Sequence, residues 1–196
     1  LSWTQLRRFT ADQLADLTTE RVPAISTANF SNLSQAQLAG FTTDQFEVLT
    51  TDQLAALTSK QIKGLSADQL EALGSDQLQA ITTKAISELT TDQVSTISSD
   101  QLALLSTDQV AALDYRQVQA LTTDQLNGLT SDQLQAIATR EVTFLSSDQI
   151  TSLTTAQFAN LTSAQVEALT SDQILALTTE QLAALTTDTI TALSNK

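Results

Sequence analysis

Apolar side chains recur along the chain at two positions of an eight-residue frame. Stepping by eight from Leu1 visits Phe9, Leu17, Ile25, Leu33 and Phe41, and the series stays Leu, Ile or Phe as far as Leu193. A second series, running from Leu6 through Leu14, Val22, Phe30, Leu38 and Phe46, is apolar in each of 24 repeats up to Ile190. Neither series slips. With the first series numbered position 1 and the second position 6, the phrase reads L-[TS]-[TS]-D-Q-[LIV]-x-A, as in LTTDQLAAL at 49–57 and LTTEQLAAL at 177–185.

A half-buried strand needs one parity of positions to be apolar. Positions 6 and 8 satisfy that parity, but position 1 follows position 8 directly and breaks it. The abundance of Thr favours strands, which leaves a Thr-rich β-solenoid as the alternative architecture. One uninterrupted helix is excluded by phase. Eight residues at about 100° each advance about 800°, so the apolar stripe would rotate by about 80° per repeat. Thr pairs in every repeat are also poor residues for a helix interior.

The remaining arrangement is one short helix per repeat. Position 2 is Ser or Thr in 21 of 24 repeats, with Gly74, Asp114 and Ala138 as the exceptions, and position 5 is Gln in 19 of 24. S/T-x-x-Q is a capping box, in which the hydroxyl accepts from the N3 amide and the Gln side chain reaches back to the N-cap amide. Asp at position 4 lies in the first turn, where the helix dipole favours an anion. On a helical wheel with position 6 at 0°, the next position 1 falls near ~300°, position 5 near ~260° and position 8 near ~200°. The buried arc is therefore Leu, Leu and Ala with Gln among them, and positions 3, 4 and 7 face water. A Gln so placed has to be partly buried and hydrogen-bonded.

Helices of about six residues do not stand alone. The expected fold is all-α, a solenoid in which each helix packs on its neighbours. Unusual spellings recur at every third repeat, as Lys60 and Lys84, Arg116 and Arg140, Asp114 and Ala138. That spacing predicts three repeats per turn. Residues 1–32 depart most from the phrase, with Trp3, Arg7, Arg8, Pro23 and the run ISTANFSNL at 25–33. They are expected to form a cap or junction, with 33–196 as the regular solenoid, the whole being one continuous array.

Composition narrows the function classes. Hydrophobic residues are 41% of the 196 and charged residues 16%, which is not the recipe of a disordered chain. The net charge of −13 repels phosphate backbones and anionic membranes, so neither nucleic acid nor a membrane surface is an expected partner. No stretch approaches the ~18 apolar residues of a membrane span. Cysteine, histidine and methionine are all absent. Without the first two there are no disulfides, thiolate sites or imidazole chemistry. The missing start Met and signal peptide make the chain look like a segment of a longer protein or a processed product.

No catalytic, cofactor-binding or metal-binding residue is singled out. The Asp column at position 4 (Asp44, Asp52, Asp68, Asp76, Asp92 and Asp100 among others) offers single carboxylates, whereas calcium needs about six to eight converging oxygens. Repetition gives each acid the same surroundings, so no pair is tuned for hydrolysis. Ser and Thr abound without a base or a nucleophile motif. Four glycines make no phosphate-cradling loop. Three N-x-[ST] sequons occur, at Asn29, Asn32 and Asn160; the last two arise wherever position 8 is Asn. The regular hydroxyls could form an ice-binding lattice, but the adjoining Asp column argues against it.

The phrases LTTDQLAALT, LTSDQLQAIA and LTTAQFANLT resemble the Thr/Gln/Leu-rich repeat tracts of very large bacterial secreted or surface proteins of haemagglutinin- or adhesin-like type. The resemblance covers the whole chain and implies an extracellular or cell-surface location. It also implies a rod-like spacer, stalk or filament-forming role, with no residue roles to carry over. The expected partners are further copies of the chain or neighbouring domains of a longer one. The alternative is a repeat-based binding module for a protein or glycan. Such a module would gather aromatic and charged departures on one face, whereas along the sequence they look dispersed beyond the N-terminal edge. An enzyme is not expected.

Overall fold

The computed structural model describes residues 2–194. These contain 23 short α-helices and one 3-10 helix, Thr19–Arg21, and no strand. The β-solenoid alternative is thereby overturned. The physical reason is that each Ser or Thr at position 2 is spent on starting a helix rather than on extending a strand. The chain divides into two compact units, Leu1–Ile97 and Ser98–Lys196.

A single repeat shows how the phrase folds. Thr50 is extended (φ −76°, ψ 154°) and caps the helix Thr51–Ala55. Its hydroxyl accepts from the Gln53 amide at 3.2 Å, while its own N–H donates to Gln53 Oε1 at 2.9 Å. Leu54 N–H closes one α-turn onto the Thr50 carbonyl, and Leu57 N–H then closes a tighter turn onto the Leu54 carbonyl. Positions 1 and 2 leave the helix in extended conformation, as Leu121 (φ −60°, ψ 132°) and Thr122 (φ −74°, ψ 162°) do. The corner is therefore made of ordinary negative-φ residues. Among the described residues none has a positive φ, which is why so few glycines suffice.

In each unit, every third helix is a stacked neighbour. Thr51–Ala55 lies beneath Ser75–Ala80 in the first unit, and Ser99–Ala103 beneath Thr123–Gly128 in the second. Each unit therefore winds with three helices per turn, around a core of position-1 and position-6 side chains that are almost all buried. Leu182 and Ile190 are about half exposed (47% and 52%), because the described chain supplies no helix to stack above them.

The turns are tied together by glutamine. Gln53 Nε2 donates to the carbonyls of Val22 (2.9 Å) and Ile25 (2.8 Å), at the corner one turn below. In the second unit, Gln165 Nε2 does the same to Leu134 (2.9 Å) and Ile137 (2.8 Å), while its Oε1 accepts from Thr162 N–H. Both glutamines are only 1% exposed. The expected partial burial is in fact nearly complete. It is tolerable because the carboxamide oxygen and both amide hydrogens are used.

Position 8 is half-buried rather than part of the core. It sits over position 3 of the turn below, as where Asn160 Nδ2 donates to Ser131 Oγ at 3.1 Å. Small residues dominate position 8 for this reason. A Cβ on Gly40 would stand 2.5 Å from Ala11 Cβ and 2.7 Å from its Cα, whereas one on Gly128 would stand 3.1 Å from Ser99 Cβ.

Two comparisons in denaturant-unfolding measurements check this scheme. Gln53→Leu strands the Thr50 N–H and the Ile25 carbonyl, while the Val22 carbonyl keeps the Ile25 N–H, and is expected to cost about 2–4 kcal/mol. Asp52→Ala loses only a dipole partner and should cost about 0.3–1 kcal/mol. Gly40→Ala is expected to cost about 1–3 kcal/mol by overpacking, and Gly128→Ala to stay within about 1 kcal/mol of the parent. Equal effects within either pair would refute the corner or the contact assigned to it.

Candidate functional site

The Asp column is exposed throughout its described members, each at the second residue of its helix. Among the described residues no group of three or more acidic side chains is placed to hold a metal ion. The functional question therefore turns on where the lattice departs from its own rule. The glutamine position departs at Arg21, Asn29, Ala85, Glu141 and Thr189, of which Ala85 and Glu141 fall between repeats that keep it, and a further departure lies on the outer surface.

Ala85 stands where the tie should be. Its N–H still donates to the Thr82 hydroxyl at 3.2 Å, but no carboxamide reaches the turn below. The missing side chain leaves a cleft lined by Leu57, Thr58, Lys60, Thr82 and Lys84. Lys60 and Lys84 lie on stacked helices, Ser59–Ile62 and Thr83–Ile86. Beside them Lys63 pairs with Glu88. A second, more apolar cleft is lined by Phe9, Leu17, Arg21, Ala24 and Ile25, in the N-terminal repeats that depart most from the phrase.

Glu141 is the second departure. It is 6% exposed. Its Oε1 accepts from Arg140 Nη2 at 2.9 Å and Nε at 3.3 Å, while Oε2 is buried without a partner. In the register of the neighbouring corners (Gln149 to Leu121, Gln165 to Ile137), the carbonyls beneath it are those of Val110 and Leu113. An acceptor thus replaces a double donor above two acceptors. The same repeat has Ala138 at the N-cap and no side-chain cap.

On the surface of the second unit the structure gathers four residues that are spread along the sequence. Tyr115 and Phe144 have ring centroids 4.8 Å apart. They are a position-3 and position-8 pair in the register of Ser131 and Asn160, both large, and they stack outward instead of fitting inward. Phe144 is 37% exposed. Arg116 donates from Nε to Tyr115 Oη at 2.9 Å, and its guanidinium carbon lies 5.4 Å from the ring centre. That hydrogen bond raises the Arg116 pKa above its ordinary value. Arg140 lies one turn above Arg116, on Thr139–Val142 stacked over Tyr115–Ala120, with its side chain 78% exposed. The departures are therefore dispersed in sequence but contiguous in space here, which corrects the expectation drawn from their linear order. The three-repeat spacing of the two arginines was the signal that could have found the patch. What it lacked was the contact between positions 3 and 8 that brings Phe144 onto Tyr115.

If the two departures from the tie are defects, repairing them stabilises the chain. Glu141→Gln supplies a donor pair at the cost of one largely exposed ion pair, and is expected to gain about 1–3 kcal/mol. Ala85→Gln adds hydrogen bonds but orders a long side chain, and is expected to gain about 1 kcal/mol. Thermal unfolding at neutral pH measures both; a lower midpoint for Glu141→Gln would show that its carboxylate fits the corner better than an amide.

No curated protein matches the chain. The family model of the ALTTAQ repeat matches three stretches, residues 22–59, 51–83 and 145–179. The chain is a repeat protein of short helices, similar over those stretches to the ALTTAQ repeat.

Proposed function

We propose that the chain is a non-enzymatic structural repeat, a spacer, stalk or filament-forming segment of a secreted or cell-surface protein. The observation that carries this reading is the sameness of the corners. One tie, made by a side chain to backbone carbonyls, recurs from turn to turn in each unit, so length can be added without new chemistry. The outward positions are filled mostly by Ser, Thr, Asp and Ala. The absence of cysteine and the Thr/Gln-rich phrase fit a protein that leaves the cell. Among the described residues no helix is long and apolar enough to cross a membrane. A binding module is the second reading, favoured by one observation: the Tyr115, Arg116, Arg140 and Phe144 patch is the kind of local concentration that recognition uses.

Immuno-electron microscopy of cells producing the chain tests the structural reading. Label is expected outside the cell, on projections or regular fibres. Label confined to the cell interior would overturn the location, and isolated compact particles would overturn the spacer and filament roles.

A further inference from the structure

We infer that the Arg116–Arg140 face of the second unit docks against the Asp column of a second copy of the same chain, side by side. This rests on the structural reading above and names the surface through which copies would associate.

Position 4 of the second unit divides into three columns of stacked repeats. One carries Asp100, Asp124, Asp148 and Asp172, on Ser99–Ala103, Thr123–Gly128, Ser147–Ser152 and Ser171–Ala176, each stacked on the last. Another carries Arg116, Arg140 and Ala164, followed in sequence by Asp188. That column has no acid in three successive layers. The remaining column is Asp108, Asp132, Ala156 and Glu180. All four Asp residues of the first column are exposed, as are both arginines.

The spacing of the two arginines and the spacing of consecutive Asp residues are the same quantity, one turn of the same winding. Arg116 and Arg140 of one copy therefore match any consecutive pair in the Asp column of another, without adjustment of either backbone. The chain carries −13 overall with only nine basic residues, so most faces of two copies repel. In the second unit the arginine column is where that repulsion reverses, as it does at the Lys60 and Lys84 pair in the first. Glu141 is buried and paired with Arg140, and the Asp114 carboxylate, exposed, is engaged in capping its own helix, accepting from Gln117 N–H at 2.9 Å. The position-4 charge facing outward is positive.

Charge pairing alone is weak when exposed. The stacked Tyr115 and Phe144 rings beside the arginines supply apolar surface that such a contact would bury. They also hold Arg116 in place, since its Nε is bonded to Tyr115. The interface uses different faces on the two copies, so it does not close on itself by a two-fold axis; after the first contact one copy still offers its Asp column and the other its arginine column. The association is therefore expected to grow with concentration and to weaken with salt.

Sedimentation velocity on the whole chain tests this, at about 0.01 M and about 1 M salt, between which screening shortens from about 30 Å to about 3 Å. Concentration-dependent association is expected at low salt and its loss at high salt. R116D/R140D and, separately, D124R/D148R should each sediment as monomers at low salt, because each presents like charges to itself. Their mixture should restore association, since the intact arginine face of one variant meets the intact Asp face of the other and the two reversed faces are themselves complementary. If arginine at the second helical residue unfolds D124R/D148R, the polar pair D124N/D148N replaces it and should also lose self-association. A further variant, lacking residues 131–138, keeps the repeat phase but seats Arg140 over Asp108 and Asp148 over Arg116. It should retain the helical spectrum and lose association.

Association that survives R116D/R140D unchanged would overturn this interface and leave the filament reading standing. A wild-type chain that stays monomeric at every concentration would overturn both this interface and self-association. Retention of an acidic glycan or acidic peptide by a monomeric chain, lost in R116D/R140D, would overturn the second copy as the occupant.

Discussion

A buried primary amide, with its oxygen turned to the start of its own helix and its nitrogen to the corner one turn below, holds each turn of the winding to the next. Its three hydrogen bonds meet two backbone groups that the short helices leave over and one that they half use. The N-cap N–H has no intrahelical partner, and neither does the position-1 carbonyl of the corner below. The position-6 carbonyl there already accepts from the next position-1 N–H and takes the amide on its second lone pair. Burying those groups unpaired would cost more than any single apolar contact returns. Glutamine is the side chain suited to this, since it combines an acceptor with two donors at the reach of a capping box. Glutamate at 141 shows the contrast: the acceptor half is available, the donor half is lost, and one buried oxygen has no partner.

The short helices follow from the same constraint. Helices such as Ser59–Ile62 and Thr83–Ile86 have only four residues and no stability of their own. They exist because leucine, isoleucine, valine and phenylalanine at positions 1 and 6 are sequestered between neighbours, and because the corners need no strained residue. Stability in such a winding is a sum over adjacent turns. Positions 8 and 3 set how closely those turns approach, through pairs such as Gly40 over Ala11 and Asn160 over Ser131.

Much of this was legible in the phrase itself. The capping box, the helix start at each TTDQ, the burial of Gln and the three-fold winding all follow from positions read within one repeat or from departures that recur at every third repeat. What could not be read locally was the destination of the Gln Nε2. Its acceptors lie 28 and 31 residues back, as Ile25 and Val22 do for Gln53, and they are backbone atoms that leave no mark on residue identity. The wheel placed Ala at position 8 in the core because it treated a helix as facing one neighbour. The winding gives each helix a neighbour above and below, and position 8 meets the latter. The Tyr115–Phe144 contact was hidden for the same reason, since their separation is not a multiple of eight and no periodic scan would align the two.

Because the lower half of each tie ends on carbonyl oxygens, it does not discriminate between one repeat and another. Any octapeptide with an intact capping box can rest on any other. A gene encoding such a chain can gain or lose eight codons by unequal recombination and still specify a protein that winds. Only the pairs that depart from the rule, such as Gly40 with Ala11 or Tyr115 with Phe144, record which turn lies on which. Those few pairs give an otherwise anonymous lattice its addresses, and they mark where selection on this protein has something to act on besides length.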